Sequence, residues 1–146
     1  MRQPLSRIFA AALAVAHFGF AGPPASPVAH PGEKTAAVAV VDRDAERLSA
    51  LSDEVWGYAE TALLETRSSK AIADWLEVQG FRLTRGVAAM PTAFVAEYGE
   101  GSPVIGVMGE YDALPRLSQK AQATQEAVRP GAPGHGCGHN LLGVAS

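Results

Sequence analysis

The fold turns on V-I-G-V-M-G-E-Y-D-A-L-P, residues 104 to 115. Residues 104 to 109 are apolar at alternate and intervening positions alike. That pattern belongs to a short strand covered on both faces, not to one with a face open to water. The run then breaks into Glu110, Tyr111 and Asp112. In open α/β sheets ligands gather just beyond the carboxyl ends of strands, so Glu110 and Asp112 emerge where a site would be built. The alternative for both is a solvated strand end.

Upstream, T-A-F-V-A-E-Y (92 to 98) and the turn-rich G-E-G-S-P lead into this run, so the two segments read as a hairpin. Before them lie two helices. Leu48, Leu51, Val55, Trp56 and Ala59 recur at three- and four-residue spacing over residues 42 to 60, with Asp42 or Asp44 as cap. Ala71, Ile72, Trp75 and Leu76 mark a second helix over 68 to 79, with Gly80 in position for a left-handed cap. Residues 81 to 84 form a short strand candidate, and 116 to 134 a long polar loop with at most one helical turn. The class this predicts is α/β, a mixed sheet flanked by helices.

The 146 residues are 47% hydrophobic and 18% charged with net charge −3, which is globular composition. Lys and Arg form no stripe, so nucleic acid is excluded as a partner. Arg2 and Arg7 precede an apolar run, and Gly19 and Ala21 offer a cleavage site, so residues 1–21 read as a secretory signal. The run falls short of the roughly 20 apolar residues a membrane span needs. The expected location is the periplasm or the outside of the cell. Residues 22–41 read as a linker, in which His30 is incidental, and the folded domain as 42–146.

The chemistry concentrates in P-G-H-G-C-G-H-N, residues 133 to 140, which sets the single cysteine between two of the four histidines. One cysteine closes no internal disulfide. A thiolate and an imidazole separated by one glycine can reach the same divalent ion, because Gly134, Gly136 and Gly138 free the backbone. Two ligands do not make a site, since structural zinc takes four and catalytic zinc three from the protein. Asp112 is the natural carboxylate to orient a histidine ligand. Two alternatives stay open: a mobile glycine loop, and Cys137 as a nucleophile with His135 or His139 as base.

Together, G-E-Y-D-A-L-P (109 to 115) and G-H-G-C-G-H-N-L-L-G (134 to 143) resemble the metal-dependent amidohydrolases and peptidases of the aminoacylase and carboxypeptidase superfamily. Within it they are most similar to the aminobenzoyl-glutamate utilization branch, and the helix pair extends the likeness from about residue 42 to the end. The resemblance implies the N-terminal part of a di-metal catalytic domain binding two divalent ions, zinc or manganese. It makes Cys137 and His139 metal ligands and Asp112 the catalytic-site carboxylate, with Glu110, His135 and Asn140 as supporting candidates. Many relatives carry an acidic residue where Asn140 stands, and Asp or His where Glu110 stands. It further implies hydrolysis of an amide in an N-acyl or aminobenzoyl amino-acid conjugate, a small-molecule or peptide-like substrate. A homodimer would form through a domain outside these residues. Because the general-base glutamate and the other ligands come later in relatives, the 146 residues alone are expected to be inactive. The competing readings are a truncated, non-catalytic remnant or a small binding module.

Overall fold

A computed structural model describes residues 31–146; the leader, the first part of the linker and His30 lie outside the described residues. Helix α1 (Pro31–Tyr58) begins well before residue 42, inside the stretch read as linker. Pro31 suits a first helical turn, and K-T-A-A-V-A-V-V carries no further proline or glycine to stop propagation. Residues 32–43 are exposed throughout, so a search for an apolar stripe misses them. Asp42 and Asp44 therefore sit within the helix and cap nothing; Asp44 pairs with Arg43 at 2.6 Å. The C-terminal half of α1 buries Leu51 and Val55 of the expected face, with Ser52 beside them, while Leu48, Trp56 and, just past the helix end, Ala59 are half-buried.

Helix α2 (Thr66–Val78) has no cap from its own preceding residue, and a more distant one replaces it. The Glu60 carboxylate accepts the backbone N–H of Arg67 at 3.0 Å and of Ser68 at 2.9 Å, together with the Ser68 hydroxyl at 2.9 Å. The open donors of the first turn are thereby satisfied by a negative charge at the positive end of the helix. At the other end Gly80 has φ +92° and donates to Glu77 O at 3.0 Å, the left-handed cap expected of it.

Strand β1 (Arg82–Arg85) pairs antiparallel with β2 (Phe94–Glu97), Arg82 opposite Glu97 and Arg85 opposite Phe94. A 3-10 turn at Val87–Ala89 joins them. Helix α2 packs on this sheet, and α1 packs on α2 and on the last helix, α3 (His139–Ala145). The core is Leu51, Val55 and Ile72, with Trp75, Phe94, Tyr111 and Val144 closing around it. This helix-and-sheet domain is compatible with the α/β class. No helix of the described residues is long and apolar enough to cross a membrane.

The expected hairpin is corrected in its pairing: β2 takes β1 as its partner, not residues 104–109. That run joins no ladder among the described residues. Val104, Ile105, Val107 and Met108 are 88, 83, 72 and 85% exposed, not buried on both faces. Covering both faces of a strand takes a layer on each side, and the described residues place none there. Residues 116–134 are loop, without a helical turn.

Burial by itself would raise the Glu60 pKa, but the backbone N–H groups of Ser68 and Arg67 outweigh it, so the carboxyl titrates below its ordinary 4.5. A depressed carboxylate contributes stability that is present above the unfolded value and is lost as pH falls through the folded one. Glu60→Gln is therefore expected to cost about 1–2 kcal/mol at pH 7, measured by urea unfolding. The difference from the parent should shrink below pH 4.5.

Candidate functional site

Residues 110–114 run past the end of α1 and are fixed there by main-chain bonds. Ala113 N–H donates to Glu60 O at 2.7 Å, and Leu114 and Gly134 exchange both of their backbone bonds at 3.0 Å. That exchange brings the glycine loop against the acidic segment. Glycine is required at the crossing: a Cβ on Gly134 would lie 2.1 Å from Leu117 O, and one on Gly143 2.7 Å from Glu110 O.

Side-chain alternation then sorts E-Y-D into two directions. Tyr111 turns into the core, its ring stacked on Phe94 at 6.0 Å between centroids and its hydroxyl donating to Thr92 O. Burial, aided by the charge of Glu65, pushes the phenol up to about 12, so it stays a donor. Glu110 and Asp112 turn the other way, and both reach His139.

His139 opens α3. Its Nδ1 stands 2.8 Å from Asp112 Oδ1 and 3.1 Å from Asp112 O, two acceptors, so this nitrogen carries the proton. In the neutral ring that leaves a lone pair on Nε2, which faces Glu110 Oε2 at 3.2 Å. Two acceptors at that distance require a proton or a cation between them. Ligands on bonds of about 2.0–2.1 Å in tetrahedral array stand about 3.4 Å apart, so the pair fits a shared divalent ion. A histidine that donates its other N–H to a carboxylate is also the usual form of a metal-binding histidine.

The other expected residues separate. Cys137 is exposed and free, on the turn before α3. Among the described residues no three His, Cys, Asp or Glu side chains are grouped to hold an ion. His135 Nε2–H donates to Val55 O at 3.0 Å, tying the glycine loop to the last turn of α1. Its Nδ1 is buried without a partner among the described residues, and burial holds the imidazole below its ordinary 6.5. Asn140 is buried and donates to Ser52 Oγ at 3.1 Å, so it fastens α3 to α1.

Sequence reasoning passed over Tyr111, Ser52 and Glu60. Tyr111 was legible as the odd apolar position between two acids. Nothing local marks the other two, whose partners lie in other elements: Glu60 bonds to the first turn of α2 and Ser52 to Asn140 of α3. A groove of about 490 Å³ between α1 and α2 takes no residue from the His139 cluster. The basic groups lining it are engaged: Arg47 with Glu54, Arg67 with Glu60 and Lys70 with Asp74.

The close approach at Gly143 sets a test. Gly143→Ala is expected to push α3 off Glu110 and cost about 1–3 kcal/mol. Gly57→Ala, in the last turn of α1 with nothing within 4 Å of the added methyl, should stabilise by about 0.5–1 kcal/mol. Urea midpoints of the two variants check both signs.

No protein-family model matches the chain. It is 47% identical over 107 residues to a p-aminobenzoyl-glutamate hydrolase subunit of Escherichia coli (strain K12), a match covering 73% of this chain and 22% of that protein. It is 33% identical over 119 residues to the Xaa-Arg dipeptidase of Mus musculus, covering 73% and 24%. Against the Xaa-Arg dipeptidase of Homo sapiens the figures are 30% over 115 residues, 70% and 23%. The chain thus spans less than a quarter of the length of these relatives. On the strength of these likenesses, the chain belongs to the amidohydrolase and peptidase superfamily.

Proposed function

We propose that these residues supply one side of a divalent-metal site in an enzyme that hydrolyses an amide bond next to an amino-acid carboxylate. The observation that carries this is His139, its Nδ1 proton held by Asp112 and its Nε2 turned to the Glu110 carboxylate. A bound ion, zinc or manganese, would supply Lewis acidity toward the amide carbonyl and toward water. In this chain, Asp112 fixes the ring tautomer and its direction. His139 and Glu110 offer a nitrogen and an oxygen to one ion, while Cys137, the other expected ligand, stands apart on the adjacent exposed turn. Tyr111 stiffens the strand end from behind, and His135 holds the glycine loop to α1.

The names of the relatives support amino-acid conjugates as the substrate class: one is a p-aminobenzoyl-glutamate hydrolase, the other an Xaa-Arg dipeptidase. A second ion, a homodimer and export through residues 1–21 belong to the same proposal. So does the inactivity of the 146 residues alone, because no third ligand joins His139 and Glu110 among the described residues. That same observation favours the second reading, a non-catalytic remnant or a small binding module.

Calorimetric titration with Zn²⁺ separates the readings. The chain is expected to bind weakly, to lose binding with His139→Ala, and to weaken about 10- to 100-fold with Asp112→Asn. Zinc binding unaffected by either substitution would contradict the proposal. Hydrolysis of p-aminobenzoyl-glutamate by the chain that survives a chelator would point instead to Cys137 as nucleophile.

A further inference from the structure

Among the described residues Glu65 is the one buried acid, 6% exposed, and the metal site as described gives it no part. It directly precedes α2 but does not cap that helix with its side chain. Its carboxylate instead accepts the Leu63 N–H at 2.9 Å on Oε1 and the Thr92 hydroxyl at 2.6 Å on Oε2. Both donors are uncharged, so hydrogen bonding alone offsets the burial of the charge, and an apolar side chain would fill the space at lower cost. A buried network satisfied in this way rigidifies what it holds. What Glu65 holds is Thr92, itself only 6% exposed. The Thr92 carbonyl accepts the Tyr111 hydroxyl, and Phe94, two residues on, stacks on the Tyr111 ring. Tyr111 in turn stands between Glu110 and Asp112.

We propose that Glu65 is a positioning residue of the metal site, acting through Thr92 and Tyr111 to set Glu110 and Asp112 opposite His139. The proposal deepens the metal-site reading and rests on it. Among the described residues, the hydrogen bonds and ion pairs of residues 110–112 run to His139 and to Thr92. His139 is the group to be met, so the place from which the two carboxylates meet it is set on the Thr92 side. Thr92 is clamped there at both ends, its hydroxyl on Glu65 and its carbonyl under Tyr111. Loss of the Glu65 bond frees that carbonyl to shift, and the tyrosine with the acids on either side shifts with it.

The test reads the metal-free and the zinc-bound chain separately. In nitrogen-15 NMR of the metal-free chain, Thr92→Val and Glu65→Gln are each expected to turn the Nδ1-protonated pattern of the His139 ring into a mixture of tautomers, with helix content unchanged. Thr92→Ser keeps the hydroxyl and should keep the parent pattern. Calorimetry is expected to find Zn²⁺ bound about 10-fold more weakly by the first two variants and with parental affinity by Thr92→Ser. The double variant should lose no more than the larger single loss, because the two residues act through one bond. A folded Thr92→Val or Glu65→Gln chain that keeps the parent ring pattern would overturn the proposal, as would losses that add in the double variant. Thr92→Ser as impaired as Thr92→Val would also overturn it, by assigning the effect to packing of the methyl group. Should Thr92→Val fail to fold, Glu65→Gln, with a side chain of the same size, decides by the same ring pattern. A parent chain that binds no Zn²⁺ would refute the metal-site reading, whereas the ring patterns of the metal-free chain still decide the role of Glu65.

Discussion

The hydrogen bond from His139 Nδ1 to Asp112 is the constraint on which the site depends, because it adds a side-chain link between two segments whose main chains meet at Leu114 and Gly134. One is the acidic segment E-Y-D, the other a glycine loop that turns into α3. Each has its own anchor: Tyr111 against Phe94 for the first, His135 on Val55 O and Asn140 on Ser52 for the second. With both anchored, the imidazole lies with its Nδ1 on Asp112 and its Nε2 edge toward Glu110. The proposed metal site rests on that orientation, since a nitrogen lone pair opposite a carboxylate is stable only with a proton or a cation between them.

The scaffold beneath is economical in its means. Glu60 closes the N-terminus of α2 with its side chain, while its carbonyl takes the N–H of Ala113. The same residue therefore joins the helix pair to the acidic segment. Glycines at 134 and 143 permit backbone approaches that any side chain would block. These are tertiary requirements, set by what crosses at the point and not by local propensity.

That distinction explains how much could be read from the residues alone. The pairing of Asp112 with His139 was legible, since a carboxylate at a strand end and a histidine in a glycine loop are chemical partners. So were α2 and its glycine cap, where local signals agree with the packing. The start of α1 was not, because its first turns bury nothing and so carry no apolar period. Glu110 reads from the sequence as a supporting candidate only, and its place opposite Nε2 is set by tertiary packing that no local signal shows. The strand at 104–109 was read from a pattern that anticipates neighbours, and the described residues do not contain them. Asn140 reads from the motif as a supporting residue beside the ligands, whereas helical geometry turns it away from His139 and toward α1.

The account's central claim is that Asp112 fixes the His139 tautomer and leaves Nε2 for a cation. Nitrogen-15 NMR of the histidine rings, with and without Zn²⁺, tests it most directly. The predicted spectrum has a protonated Nδ1 that persists on adding Zn²⁺ while the Nε2 resonance moves, and Asp112→Asn should weaken or abolish that preference. A Zn²⁺-bound ring protonated at Nε2, or spectra indifferent to the loss of the Asp112 carboxylate, would contradict it.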